Sequence, residues 1–195
     1  MPKTVTEEAR EEMRMAILNT AYDLIRENGL THTSIDKITN QCKIGKGTFY
    51  LYFQSKEALI VELMLKQGRD SLRDFQNILG GRDKMSPEEG REYIKYVITR
   101  DDTVYRYLPN GYLKKLKAAF PEQWEFIQPG DRTETIEVLL THIEGVRHDV
   151  DVRLVSDLMR VFRIAFQNLD DSIEQAEKID MENSMYSHLF SLIFN

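Results

Sequence analysis

Apolar residues recur at helical spacing along most of the chain, while the strict alternation typical of β-strands is rare. The first such run lies between Glu7 and Asn28, with apolar positions at Met13, Ile17, Ala21, Leu24 and Ile25. Gly29 follows, where a helix is expected to end because glycine tolerates the left-handed conformation of a C-terminal cap. The pattern predicts an all-α fold that opens with a long helix.

Two short helices joined by a tight turn are predicted next. Ser34 can cap a helix that contains Ile35 and Ile38, because a serine hydroxyl accepts a hydrogen bond from an amide of the first turn. The residues Cys42-Lys43-Ile44-Gly45 indicate a turn into a further helix over 46–52. Two short helices joined by a turn of about three residues form a helix-turn-helix, which lays its second helix into the major groove of DNA.

A long helix and a larger helical region are predicted after this motif. Ser55 can cap a helix that begins at Lys56 and continues to Gly80-Gly81. The later predicted helices cover about 88–100, 102–108, 111–119, 132–147, 151–169 and 181–194. The last two carry apolar residues on more than one face. Such helices usually have neighbours on both sides, which favours burial against a partner chain.

The net charge of −6 is distributed unevenly along the 195 residues. Residues 1–60 contain eight basic and eight acidic side chains, so the excess of acid belongs to the rest of the chain. Within this neutral segment, four lysines and no acid stand between Asp36 and Glu57, namely Lys37, Lys43, Lys46 and Lys56. We refer to these four residues as the lysine patch and expect it to contact phosphates.

Composition limits the other classes of function. A hydrophobic content of 42% with 30% charged residues is ordinary for a folded protein, and no run approaches the roughly 18 apolar residues of a membrane span. Because the N-terminus also lacks the apolar core of a signal peptide, we expect a cytoplasmic protein. Cys42 is the only cysteine and the four histidines are scattered, so neither a metal site nor a cofactor is expected. No nucleophile–base pair or glycine-rich phosphate loop indicates an enzyme.

A continuous motif surrounds the predicted turn. It consists of Thr33-Ser34-Ile35, Ile38 and the stretch Ile44-Gly45-Lys46-Gly47-Thr48-Phe49-Tyr50-Leu51-Tyr52-Phe53-Gln54-Ser55-Lys56-Glu57-Ala58-Leu59. These residues resemble the DNA-binding domain of the tetracycline-repressor (TetR) family, and Phe49 and Phe53 are then expected in the core. The resemblance implies that DNA is touched by Lys46, Gly47, Thr48, Tyr50, Tyr52 and Lys56, and the predicted DNA-binding set is completed by Ser34, Lys43 and Gly45.

Two positions depart from the pattern of that family. Lys43 stands in the turn where members often have glycine, and Gly45 stands where serine or threonine often caps the recognition helix. A lysine at positive φ costs on the order of 1 kcal/mol. Glycine instead of serine at a helix N-cap costs only a few tenths of a kcal/mol. Both departures are compatible with the fold, and both leave the individual base contacts open.

Aromatic residues concentrate in the C-terminal half, the region that binds effectors in the TetR family. Tyrosine and tryptophan combine apolar area with a hydrogen-bonding group, so a small apolar or aromatic effector is expected there. The candidate pocket residues are Tyr93, Tyr96, Arg100, Tyr105, Tyr112, Phe120, Trp124, Phe126, Phe162 and Phe166. Arg100 or Arg106 would pair with a carboxylate. The expected domains are 1–54 for DNA binding and 55–195 for effector binding and dimerisation, with helix 55–80 as the connector.

The expected function is that of a repressor. A homodimer joined through its last two helices would bind a palindromic operator in double-stranded DNA and leave it when the effector binds. Two alternatives stay open at the level of sequence. A helical carrier of hydrophobic ligands would have the same fold without a DNA role, although the lysine patch argues against it. An activator would share every feature of the repressor.

Overall fold

The computed structural model describes residues 6–100, 103–127, 133–167 and 174–194. These residues form ten α-helices, namely α1 (Glu7–His32), α2 (Ile35–Cys42), α3 (Lys46–Tyr52), α4 (Lys56–Leu79), α5 (Pro87–Thr99), α6 (Tyr112–Ala119), α7 (Pro121–Trp124), α8 (Thr133–Thr141), α9 (Val152–Gln167) and α10 (Gln175–Ile193). A 3₁₀ turn, Val104–Tyr107, precedes α6. The described ranges contain isolated bridges but no β-strand, which confirms the predicted all-α class. None of the described helices combines the length and the hydropathy needed to cross a membrane.

The break predicted at Gly29 is present in α1. Thr6 caps the start of this helix, since its hydroxyl oxygen accepts a hydrogen bond from the amide of Ala9 at 3.2 Å. Gly29 adopts φ 75° and ψ 159°, which interrupts the helical backbone, and a short turn continues to His32. The hydroxyl of Thr33 donates to the carbonyl of Gly29 at 2.9 Å. This bond holds the path of the chain into α2.

Packing divides the described chain into two compact units. The first unit contains the described residues of Met1–Arg69 and Asp102–Ile127, and the second contains those of Asp70–Asp101 and Gln128–Asn195. The first unit therefore includes the 3₁₀ turn, α6 and α7 together with α1–α3 and the beginning of α4. The predicted domain boundary after residue 54 stays a prediction. In the structure, the first unit also contains residues 103–127, which are far along the chain from its other residues.

Each unit has its own apolar core. The first core includes the fully buried side chains of Ile17, Leu18, Ile38, Phe49, Leu59, Val104, Leu116 and Ile127. The second core includes the fully buried side chains of Ile94, Ile136, Met159 and Leu189. Neighbouring helices contribute these residues from one face each, and removal of that apolar surface from water is the main driving force for folding.

Several predicted helix boundaries are wrong. The helix predicted over 102–108 is the shorter 3₁₀ turn, and the helix predicted from residue 181 begins already at Gln175. The short helix α7 was not predicted, although Pro121 stands at its first position, where proline is well tolerated. Residues 102, 132, 168 and 169 of the predicted helices lie outside the described residues.

Contacts distant in sequence shape the segment that follows α8. The helix predicted over 132–147 ends at Thr141. The amide of Met85 donates to the carbonyl of His142 at 2.8 Å, and the amide of Glu144 donates to the carbonyl of Met85 at 3.0 Å. These bonds replace the helical ones, so periodicity alone extended the predicted helix too far.

Candidate nucleic-acid interface

The turn between α2 and α3 is closed by backbone hydrogen bonds around Lys43. This residue has φ 55° and ψ 40°, the left-handed conformation expected for it. Its amide donates to the carbonyl of Asn40 at 3.1 Å, and the amide of Ile44 donates to the carbonyl of Thr39 at 3.0 Å. The two bonds form the Schellman motif of a helix C-terminus, with lysine in place of the usual glycine. They set the direction in which α3 leaves α2.

Ser34 and Gly45 occupy the N-caps of α2 and α3, as predicted. The hydroxyl oxygen of Ser34 accepts a hydrogen bond from the amide of Lys37 at 3.2 Å. Its own proton is still available for a phosphate oxygen. Gly45 makes no side-chain bond, and its backbone is extended, with φ −76° and ψ 155°. The first amides of α3 therefore have no capping side chain in front of them.

The recognition helix α3 has one buried and one exposed face. Phe49 is fully buried and Phe53 nearly so, which confirms their predicted place in the core. Tyr50 is 50% exposed, and its ring meets that of Phe49 edge-on with centroids 5.5 Å apart. Leu51 is 84% exposed. Sequence reasoning did not include Leu51 in the site, although an apolar residue on the open face of a recognition helix can contact a thymine methyl group.

Lys46, the first residue of α3, is paired with an acid of α2. Its ammonium nitrogen lies 2.6 Å from a carboxylate oxygen of Asp36, and both side chains are exposed. The hydrogen bond from Lys46 to Asp36, reinforced by the opposite charge, raises the pKa of Lys46. Asp36 immediately precedes the lysine patch in the sequence. The fold therefore places an acid beside a patch that has no acid within it.

Lys56, the first residue of α4, is bound to the backbone of the chain before α2. Its half-buried ammonium donates a hydrogen bond to the carbonyl oxygen of Leu30 at 2.6 Å. Burial lowers the pKa of Lys56, Glu57 opposes this effect, and the nearby charge of Lys115 adds to it. The amine joins the start of α4 to the end of α1. The predicted contact between Lys56 and DNA stays a prediction.

Glu57 is paired with a residue that sequence reasoning missed. The ammonium of Lys115, on α6, lies 2.8 Å from a carboxylate oxygen of Glu57. The hydrogen bond from Lys115 lowers the pKa of Glu57. These two residues are 58 positions apart in the sequence, and no local pattern connects them. Only the packing of α6 within the first unit brings them together.

The structure brings all of the predicted DNA-binding residues into the first unit, between the N-cap of α2 and the start of α4. Gly47 is exposed, and apart from the neighbouring residues and backbone of its own helix no atom lies within 4 Å of the position that a Cβ would occupy. Thr48 and Tyr52 are half-buried. Their individual contacts with DNA stay predictions.

The predicted effector-pocket residues fall into two groups. The second unit holds Tyr93, Tyr96, Arg100, Phe162 and Phe166, and the first unit holds Tyr105, Tyr112, Phe120, Trp124 and Phe126. Four aromatic residues of the first unit pack against its core, whereas Phe126 is 75% exposed. Arg106 is exposed and also lies in the first unit. A role of these residues in effector binding stays a prediction.

Arg100 forms a cluster with two tyrosines of α5. Its guanidinium donates to the hydroxyl oxygen of Ser71 at 2.8 Å and lies 5.3 Å from the ring centroid of Tyr96. The rings of Tyr96 and Tyr93 have centroids 6.0 Å apart. Burial raises the pKa of Tyr93 to about 12, although Arg100 opposes this effect. Of the two arginines predicted to bind a carboxylate, Arg100 therefore stands in an aromatic setting.

A row of aromatic rings joins α9 to α10 in the second unit. The centroid of Phe166 lies 6.3 Å from that of Phe162 and 5.5 Å from that of Tyr186, which stacks on Phe190 at 5.9 Å. The hydroxyl of Tyr186 is buried, and among the described residues it has no hydrogen-bond partner. Tyr186 and Phe190 were not predicted as site residues. Their spacing of four positions on one helical face was the available signal.

The helices α9 and α10 also leave apolar side chains in contact with solvent. The exposed residues are Leu154, Val161 and Ile164 on α9, and Ile179 and Met181 on α10. A shallow depression on α10 is lined by Asn183, Ser184, Ser187, His188 and Ser191. The second apolar face expected for the last two helices is therefore present.

Comparison with known proteins agrees with this geometry. Residues 17–63 match the family model described as bacterial regulatory proteins, tetR family. The HTH-type transcriptional regulator UidR of Escherichia coli (strain K12) is 34% identical over 178 residues, which are 90% of this chain and 74% of that protein. GusR of Salmonella enterica has a similar structure, with a TM-score of 0.65 at 21% identity over 97% of this chain and 98% of that one. The transcriptional regulator FadR of Bacillus subtilis, solved in complex with stearoyl-CoA, has a TM-score of 0.57 at 20% identity over 91% and 97%.

Proposed function

The chain belongs to the TetR family of transcription regulators with a DNA-binding helix-turn-helix, and we propose that it is a repressor that leaves its operator when an effector binds. The operator is a palindrome in double-stranded DNA, bound by a homodimer. The effector is a small apolar or aromatic molecule. All of these steps take place in the cytoplasm.

The observation that carries the proposal is the open face of α3. Tyr50 and Leu51 project from a short helix whose opposite face is anchored by the buried Phe49. A helix supported in this way can enter the major groove without loss of its core contacts. The lysine patch extends along the chain from α2 to the start of α4, and it supplies charges for phosphates beside the groove.

We assign different tasks to the residues of this face. Leu51 contacts base edges, since an apolar side chain can recognise a thymine methyl group. The hydroxyls of Thr48, Tyr50 and Tyr52 donate to phosphate oxygens, which position the protein without reading the sequence. Lysines of the patch add charge-dependent affinity, and Lys46 does so after its carboxylate partner Asp36 is displaced.

Dimerisation uses the exposed apolar residues of α9 and α10. Val161 and Ile164 are more than half exposed in the isolated chain, and a second copy would remove them from water. A two-fold dimer would carry two α3 helices, one from each chain. Adjacent major grooves on one side of the DNA are about 34 Å apart, so the dimer geometry sets the spacing of the operator half-sites.

Effector binding takes place in the second unit. The aromatic row around Phe166 and the cluster of Tyr93, Tyr96 and Arg100 provide apolar area together with a positive charge. The structurally similar FadR was solved with stearoyl-CoA, an apolar chain on a charged carrier. An effector that favours a dimer with a different spacing of α3 would weaken operator binding by about 1–3 kcal/mol.

Selection of random duplex DNA by the purified chain tests the proposal. Enrichment of a palindrome, bound much more tightly than a scrambled duplex at the same salt concentration, is the expected result. The protein–DNA stoichiometry then shows whether two chains bind one palindrome. The selected duplex allows small apolar and aromatic molecules, including stearoyl-CoA, to be screened for release of the protein.

The control for this test is a pair of single alanine variants, one on α3 and one in the second unit. Leu51→Ala should reduce the preference for the palindrome, whereas Lys84→Ala, an exposed change in the second unit, should leave it intact. If no sequence is enriched while the folded chain still binds hydrophobic ligands, the chain is a carrier and the regulatory proposal fails.

A further inference from the structure

The helix α6 carries a basic surface outside the helix-turn-helix. The segment from Thr103 to Pro121 contains Arg106, Lys114, Lys115 and Lys117 and no acidic residue. Leu116 is fully buried, while the lysines on either side of it are exposed. The apolar face of α6 is therefore packed into the core, and Lys114 and Lys117 extend into solvent from the opposite side of the helix.

The core of the first unit holds α6 in a defined position relative to α3. Val104, Leu116 and Ile127 are fully buried in the same core cluster as Phe49. In addition, the side-chain oxygen of Gln67 accepts a hydrogen bond from the amide of Val104 at 2.9 Å. The lysines of α6 thus belong to the packed unit that carries the recognition helix, although they follow it by more than sixty positions in the sequence.

The basic surface of α6 begins next to the lysine patch. Lys115 is paired with Glu57 at 2.8 Å, and Glu57 follows Lys56 directly in the first turn of α4. The charge of Lys115 is close enough to lower the pKa of Lys56. Because Glu57 neutralises Lys115, the further exposed lysine charges that α6 adds to the first unit are those of Lys114 and Lys117.

We propose that Lys114 and Lys117 bind phosphates of the DNA backbone beyond the groove occupied by α3. This inference rests on the proposed function, since it extends the surface on which the same duplex lies. A lysine amine is a flexible point charge, which suits phosphate contacts and carries no information on base sequence. The basic surface of α6 therefore raises the affinity for operator and for scrambled DNA by the same factor, and the ratio of the two affinities stays unchanged.

The salt dependence of binding tests the proposal directly. The Lys114→Ala/Lys117→Ala variant should bind the selected duplex more weakly, and its slope of log affinity against log salt should be flatter by about two units, because each phosphate contact contributes about 0.9. Lys114→Arg/Lys117→Arg keeps both charges and should retain the slope of the parent chain. The control variant Lys84→Ala/Arg153→Ala removes two exposed charges from the second unit and should also retain it.

Ethylation interference identifies the phosphates concerned. Some phosphates should be essential to the parent chain but not to the alanine double variant, and these should differ from those lost in Lys46→Ala. If the parent chain binds DNA and the alanine double variant has the same slope and the same interference pattern, the α6 proposal is overturned while the proposed function stands. Absence of DNA binding by the parent chain at any salt concentration would overturn both.

Discussion

The ammonium of Lys46 lies 2.6 Å from the carboxylate of Asp36, so the first basic residue of the recognition helix is paired before DNA is bound. An approaching phosphate must displace this carboxylate or remain beside it. Either course lowers the net attraction between Lys46 and the DNA backbone. Asp36 therefore limits the electrostatic contribution to DNA binding.

Replacement of Asp36 by asparagine should strengthen DNA binding. Asp36→Asn preserves the shape of the side chain and removes its charge, so we expect severalfold tighter binding to operator and scrambled duplex and a salt slope steeper by about one unit. In that variant, a further Lys46→Ala should weaken binding to all sequences alike and flatten the slope by about one unit. Fluorescence anisotropy across a salt series measures both effects. Weaker binding by Asp36→Asn would contradict this role.

Lys43 offers a stabilising substitution with a separate effect on DNA. Its φ of 55° is unfavourable for a side chain with a Cβ, so Lys43→Gly should raise the free energy of unfolding by about 0.5–1 kcal/mol. Urea titration measures this change. Lys43→Asn is the matched control, because asparagine tolerates the left-handed conformation and also lacks the charge. Both variants should lose the phosphate contact predicted for Lys43. A lower free energy of unfolding for Lys43→Gly than for the parent chain would contradict the backbone strain inferred at this residue.

Gly90, in α5, is a position where only glycine fits. A Cβ at this position would clash with Cγ2 of Ile143, so Gly90→Ala must displace a buried side chain. Overpacking of this kind typically costs about 1–3 kcal/mol. Thermal unfolding should show this loss, and the double variant Gly90→Ala/Ile143→Ala should be more stable than the sum of the two single changes predicts.

Gly68 supplies the control for that experiment. It lies inside α4, and apart from the neighbouring residues and backbone of its own helix no atom lies within 4 Å of the position that its Cβ would occupy. Gly68→Ala should therefore raise the free energy of unfolding by about 1 kcal/mol through helix propensity alone. Changes of opposite sign in the free energy of unfolding at the two glycines would show that local packing decides the effect of the added methyl group. Destabilisation at both positions would instead point to a general need for glycine.

Glu89 should make stability depend on pH in the acidic range. Hydrogen bonds from Arg82, at 2.9 Å to each carboxylate oxygen, and from the amide of Ser86 lower the pKa of Glu89 to about 2. Because the folded-state pKa lies below the ordinary value of 4.5, this stabilisation is complete above about pH 4.5 and is lost as the pH falls toward 2. Urea midpoints of the parent chain and Glu89→Gln should therefore converge in acid. Arg82→Gln should show a similar convergence, and a pH-independent difference would contradict the linkage.

Local sequence signals predicted much of the fold. The break at Gly29, the cap at Ser34 and the turn at Lys43 all depend on residues within about four positions, and each was confirmed. The predicted end of α8 was wrong because Met85, more than fifty positions away in the sequence, forms backbone hydrogen bonds with the residues on either side of Ile143. The apolar spacing of a helix continues through that segment, but its backbone forms hydrogen bonds with Met85 and the helix does not continue.

The sequence by itself determined the helix-turn-helix and the run of lysines, because periodicity, caps and turn chemistry are local, and the resemblance to the TetR family implied the buried Phe49. Only the tertiary structure decided which charges those lysines meet. Asp36 lies against Lys46, the carbonyl of Leu30 holds Lys56, and α6 enters the core of the unit that carries α3. Ion pairs and packed faces form between elements that are close in space, and proximity in space between distant segments is set by the fold of the whole unit.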